Sequence, residues 1–148
     1  MDDVVVPAAL VIFPNALSFL IVQSTGRGSA CPSTSLQPPG WAFGVIWTTI
    51  YLLMGVSMAI LWKKGEKHEL KKVFTVLIGL NIWWLAFGPR CMPVPALISI
   101  LLLLVASTAV TTGVFRQSIT SGALLIPLDL WLVMASVLSV QQVVNQMT

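Results

Sequence analysis

Charge is what this sequence has least of. Asp, Glu, Lys and Arg together make up 9% of its 148 residues, against about a quarter in soluble domains. Apolar residues make up 57%. A domain of this size buries only about two-thirds of the surface of its unfolded chain. A water-soluble fold therefore has no place for so much apolar surface, and lipid is the solvent that removes the problem. The length allows one compact domain.

Cysteine and histidine are scarce as well. Two cysteines, Cys31 and Cys91, are too few for a disulfide framework, and no CxxC pair occurs. A single histidine, His68, leaves neither a His-rich metal cluster nor a Ser-His-Asp triad. It reads as a solvated loop residue between Glu66 and Glu69. The phosphate-binding glycine patterns G-x-G-x-x-G and G-x-x-x-x-G-K-[ST] are missing. Met1-Asp2-Asp3 carries no basic n-region, so the first apolar stretch does not read as a cleaved signal peptide. The net charge of +3 does not mark a nucleic-acid binder. Five of the eight basic residues fall within 63–72, between two apolar runs and without interleaved aromatics. That is the pattern of a loop at a membrane surface.

Apolar runs long enough to span a bilayer are what the sequence has in abundance. They predict an all-α integral membrane protein, a single-domain bundle of five transmembrane helices at about residues 4–22, 41–62, 73–87, 95–115 and 122–144. The second run carries a tryptophan at each end, Trp41 and Trp62, the aromatic-belt pattern of a helix anchored at both interfaces. Residues 23–40 are rich in Gly, Ser, Thr and Pro and form a long loop, of the kind that often carries function. Residues 116–121 read as a tight polar turn. Five spans put six basic residues on the side of the 63–72 loop and two on the other. The positive-inside rule places the richer side in the cytoplasm of a translocon-inserted membrane. Cys31 and Cys91 share the poorer side, which leaves a disulfide geometrically open. No internal repeat is visible, which weighs against an inverted-repeat transporter.

Polar and aromatic residues inside the spans are the candidate functional groups. Gly44, Trp47, Tyr51, Gly55 and Met58 recur every three or four residues and share one helix face. Gly55 and Ala59 add a small-xxx-small pair suited to close helix approach. The stripe is either packing core or, through Trp47 and Tyr51, the wall of an aromatic pocket. Asn81, followed by Trp83 and Trp84, needs a partner in lipid, which is another helix or a ligand. Asp129 is the one carboxylate within a span. It lies about two turns from the start of the fifth run and is either functional or reaches headgroup water or Arg116. Ser136 and Ser139 follow it and can bond their own helix carbonyls.

Residues 38–55, Pro-Pro-Gly-Trp-Ala-Phe-Gly-Val-Ile-Trp-Thr-Thr-Ile-Tyr-Leu-Leu-Met-Gly, resemble the signature of the tryptophan-rich sensory protein / translocator protein family, also called peripheral-type benzodiazepine receptors. The family pattern reads approximately P-P-x-W-x-F-G-x-x-W-x-x-L-Y-x-x-M-G. Leu80-Asn81 with Trp84 resembles its L-N-x-x-W. Gly88, Arg90 and Met92 resemble the connection that follows. Pro127 and Trp131, with Ala135 and Leu138, resemble the fifth helix, and Val6-Pro7 and Pro14 fit the first. The likeness spans nearly the whole chain.

This resemblance implies a five-helix bundle, often a homodimer, with a pocket that opens toward the long first loop. It implies binding of porphyrins such as haem and protoporphyrin, of sterols in some lineages, and of isoquinoline or benzodiazepine drugs. Carried over by position, Trp47, Tyr51, Asn81, Trp84, Trp131 and Ala135 would line the pocket, with Trp41 and Arg90 added to the candidate set. Porphyrin propionates would meet Arg27 or Arg90 on the loop side. No cofactor is required, and porphyrin or haem enters as a ligand. The chain departs from the pattern in places. The first loop lacks an extra K-P-x-W. Leu128 stands where Tyr is usual, Asp129 where an apolar residue is usual, and Ser139 where Asn is usual. The sterol-recognition pattern at the end of the fifth helix is missing.

The function expected is a membrane receptor or carrier for a hydrophobic ligand, a porphyrin first, in tetrapyrrole handling or stress signalling, with no catalytic residue assigned. Two alternatives remain: a proton-coupled small transporter using Asp129, and a porphyrin-degrading enzyme. The expected partners are the ligand, the lipid bilayer and a second copy of the chain, with no nucleic acid. The expected location is a bacterial membrane, the mitochondrial outer membrane or another organellar membrane, which the chain crosses several times.

Overall fold

A computed structural model describes residues 40–65, 79–85 and 92–148, with positions 9, 12, 13, 16, 20, 68 and 72 as single residues. Among the described residues there are no strands, and the continuous helices are α1 (Gly40–Lys63), α2 (Gly79–Leu85), α3 (Pro93–Gln117) and α4 (Ile119–Met147), with His68 and Lys72 also helical. Positions 9, 12, 13, 16 and 20 are helical and exposed. Their spacing of three and four residues is that of one helix face.

Three of these helices are long and apolar enough to cross a membrane, over Val45–Lys63, Pro93–Gln117 and Ile119–Met147. At about 1.5 Å per residue, each reaches or approaches the ~30 Å of a hydrocarbon core. The second, fourth and fifth runs of the sequence thus appear as helices that begin and end one to three residues beyond the expected limits. α2 occupies the middle of the third run, whose other residues lie outside the described set. So do Cys31, Cys91 and the 23–39 part of the first loop.

Local chemistry sets the helix ends. Pro93 opens α3 at its first turn, where its missing N–H costs nothing. α1 is closed two residues beyond its end by Gly65, with φ +77° and its N–H donating to the Trp62 carbonyl at 3.1 Å. A glycine takes that left-handed conformation without strain.

The turn between α3 and α4 is shorter than the expected 116–121. Ser118 alone leaves the helix, extended at φ −156° and ψ 115°. Its N–H donates to the Val114 carbonyl at 2.8 Å, and its hydroxyl accepts from the Ser121 N–H at 3.3 Å. One serine therefore closes one helix and caps the next. The polarity of Arg116 and Gln117 reflects their exposure, not a break in the helix. Phe115 sits against Gly122 across this turn. A Cβ on Gly122 would stand 2.5 Å from the Phe115 Cγ, so only glycine fits there.

α4 packs against both α3 and α1, and α2 packs against α3. α1 contributes Ile50, Tyr51, Met54, Met58 and Leu61 to the core, α3 contributes Ile100, Leu103, Val110 and Val114, and α4 contributes Leu125, Leu128, Trp131 and Leu132. Each set repeats at three or four residues, so each helix buries one stripe. Leu52, Val105, Leu130 and Val137 point outward, as lipid-facing residues do.

Candidate functional site

Four of the candidate residues meet where α1 crosses α4. Trp47 and Tyr51 lie one helical turn apart on α1, with ring centroids 5.9 Å apart and planes tilted by 32°. Trp131 comes from α4 and meets Trp47 edge to face, with centroids 6.2 Å apart and planes at 86°. Both spacings lie within the 4.5–7 Å range of aromatic pairs. Ala135, one turn beyond Trp131, is half-buried against the core that includes Tyr51 and Trp131. Tyr51 and Trp131 are buried, while Trp47 keeps partial exposure. The 3.6-residue period delivers this arrangement: positions 47, 51, 54 and 58 fall on one face of α1.

A pair of hydrogen bonds fixes how α1 lies on α4. The Ser57 hydroxyl donates to the Ser121 carbonyl at 2.9 Å, and the Ser121 hydroxyl donates to the Ser57 carbonyl at 3.4 Å. Both serines are fully buried. The end of α1 therefore lies beside the start of α4, and the two helices run antiparallel. Lys63, Lys64 and Arg116, all exposed, share that end of the bundle. The aromatic cluster lies further along the same helix pair, about 15 Å from the Ser57–Ser121 contact at 1.5 Å per residue.

None of the other ligand-binding candidates has a described side chain. Asn81 and Trp84 belong to α2, and their side chains lie outside the described set. Trp41 belongs to the first turn of α1, with its side chain likewise outside. Arg27 and Arg90 lie outside the described residues altogether. Leu80 and Ile82 bring α2 against the shared core, whereas Trp83 is exposed. His68 is exposed too. An open groove of about 550 Å³ runs along the outer face of α3 past Val105, Ala109, Thr112 and Arg116. It includes none of the candidate residues.

Asp129 sits deeper than its sequence position suggested. α4 begins at Ile119, which puts Asp129 nearly three turns inside it, about 15 Å from its start. Its hydrogen-bond partner is neither Arg116 nor a position at the helix end. It is the Ser107 hydroxyl, from the middle of α3. Sequence reasoning missed Ser107 because α3 is apolar almost throughout and its buried face has no contrast. The available signal was that Ser99, Ser107 and Thr111 fall on the same stripe as Ile100, Leu103 and Val114. Ser136 does bond its own helix, donating to the Leu132 carbonyl at 2.7 Å.

Comparison of the sequence with known proteins points to one family. The family model described as TspO/MBR family matches residues 4–144. Among curated proteins, the chain is similar to the Tryptophan-rich protein TspO of Archaeoglobus fulgidus, 34% identical over 106 residues, which covers 69% of this chain and 68% of that protein. It is similar to the human Translocator protein, 32% identical over 112 residues, covering 71% and 66%. Protein CrtK of Rhodobacter capsulatus is 30% identical over 113 residues, covering 71% and 69%.

Proposed function

This chain belongs to the TspO/MBR family and is a multi-pass membrane protein, and from that premise we propose that it is a receptor or carrier for a flat hydrophobic ligand, a porphyrin such as haem or protoporphyrin first among them. The observation that carries the reading is the cluster of Trp47, Tyr51 and Trp131 across the α1–α4 contact. Aromatic side chains with polar edges are a more costly way to fill a helix contact in lipid than leucine. Three of them together offer π-faces and N–H or O–H groups to a planar aromatic guest. Trp47, the partly exposed member, is the one such a guest would reach first.

The wider site would draw on Asn81, Trp84, Trp41 and Ala135, with Arg27 and Arg90 available to ligand carboxylates. The bundle is read as five helices. The helical positions 9, 12, 13, 16 and 20 and α2 would belong to the two beyond the three long spans. A second copy of the chain is the expected partner. Sterols and isoquinoline or benzodiazepine drugs are further ligand candidates. Tetrapyrrole handling or stress signalling is the role that fits such a ligand.

Retention of the ligand tests the reading. The full chain in lipid nanodiscs, mixed with protoporphyrin and passed over a sizing column, should carry porphyrin at a fixed ratio. Trp131→Leu should carry several-fold less. Equal retention by both proteins, or by empty nanodiscs, would remove the aromatic cluster from the site.

A further inference from the structure

The middle of the α3–α4 hairpin holds a group of polar atoms that the aromatic cluster does not use. Asp129 accepts a hydrogen bond from the Ser107 hydroxyl. Ser107 is ten residues before the end of α3, and Asp129 is ten residues after the start of α4. At about 1.5 Å per residue, both lie some 15 Å from the turn, which is half of a ~30 Å hydrocarbon core. Ser107 is fully buried and Asp129 is half-buried. One turn from Ser107 on the same face of α3 stands Thr111. It is buried, and its hydroxyl has no hydrogen-bond partner among the described residues.

A carboxylate at this depth calls for a compensating positive charge. Among the described residues, Asp129 makes no ion pair, and its partner is the Ser107 hydroxyl. Arg116, on α3, is nine residues beyond Ser107, about 13 Å along the helix, and is exposed. The described part of α2 contains no titratable residue. Those of α1 are Tyr51, within the aromatic cluster, and Lys63 at its far end. α4 has no other charged residue. The oxygens of Asp129, Ser107 and Thr111 are all hard donors, suited to a proton or an alkali cation and not to a soft metal.

We propose that Asp129, with the Ser107 and Thr111 hydroxyls, is an intramembrane site for one monovalent cation, a proton or a sodium ion, that joins α3 to α4. The site is separate from the proposed ligand pocket. Asp129 and Trp131 are two residues apart on α4, so they point about 200° apart around the helix. Loss of one need not affect the other.

Thermal unfolding of the full chain in nanodiscs tests this in two arms. The first varies sodium against choline at fixed pH and ionic strength. The second varies pH in choline alone. If the ion is sodium, the midpoint rises with sodium in the wild type. If it is a proton, the midpoint is indifferent to sodium, and the wild type and Asp129→Asn differ in their pH dependence. In either case the folding constant changes by at most about tenfold for each tenfold change in the ion, as one bound ion requires. Asp129→Asn should abolish the response. Thr111→Val, which keeps the side-chain shape, should weaken it several-fold. A wild type that responds to neither ion, or a response that survives intact in Asp129→Asn, would overturn the proposal. If Asp129→Asn fails to fold, Thr111→Val and Ser107→Ala carry the test, and unchanged ion responses in both would overturn it.

Discussion

The indole of Trp131 stands edge-on to that of Trp47, with ring centroids 6.2 Å apart and planes at 86°. The contact joins α4 to α1. Such pairs contribute about 0.5–1.5 kcal/mol beyond the area they bury. A double-mutant cycle of Trp47→Leu and Trp131→Leu, read by unfolding in detergent without ligand, should give a coupling of about that size. Additive losses would mean that the rings touch without favouring each other's position.

The Ser57–Ser121 pair should matter less than its burial suggests. Hydrogen bonds between membrane helices average about 0.6 kcal/mol and reach about 1.7. Here the acceptors are backbone carbonyls already engaged in helix bonding. Ser57→Ala should therefore cost about 1 kcal/mol in unfolding free energy, and the double variant with Ser121→Ala should cost less than the sum of the two. The Ser118 cap, which accepts from the Ser121 backbone N–H, is kept in both variants.

Gly122→Ala tests the hairpin. The added Cβ would stand 2.5 Å from Cγ of Phe115, an atom near the root of its side chain that cannot swing clear without a new rotamer. Overpacking of this kind costs about 1–3 kcal/mol. Phe115→Ala in the same chain should recover most of that loss in thermal midpoint. A Gly122→Ala variant as stable as wild type would show that α3 and α4 part more easily than their contact implies.

Much of this bundle was legible in the sequence, because lipid leaves few choices. Once backbone groups cannot bond to water, an apolar run of about 20 residues must be helical. Trp41 and Trp62 marked the ends of α1 to within a residue. The ends of α3 and α4 were less legible. Ser118 is both cap and turn, and nothing in Arg116–Ser121 announces that a single residue suffices. The face that each helix buries was legible on α1, where Tyr51 and Met58 stand out. It was hidden on α3, where leucine lies on every side. Trp47, Tyr51 and Trp131 were named from their motif, but the edge-to-face meeting of Trp47 with Trp131 depends on how two distant helices cross, which no local pattern encodes. Ser107 escaped because the buried face of α3 shows no contrast with the rest of an apolar helix.

The division of α4 into buried and lipid-facing sides gives a further check. Leu132 is fully buried and Leu130 is 67% exposed. Leu132→Ala should cost about 2–5 kcal/mol through the cavity it leaves. Leu130→Ala should change stability by no more than about 0.5 kcal/mol. Comparable losses in chemical unfolding would place the core stripe of α4 elsewhere.

Porphyrin binding by the aromatic cluster, as proposed, is tested directly by a fluorescence titration. Protoporphyrin is added to the detergent-solubilised protein and tryptophan emission is followed, with Trp47→Leu measured alongside. The account predicts saturable quenching at about micromolar porphyrin, the range in which tenfold in affinity corresponds to ~1.4 kcal/mol, and a several-fold weaker midpoint in Trp47→Leu. Quenching that never saturates, or that is the same in both proteins, would contradict it.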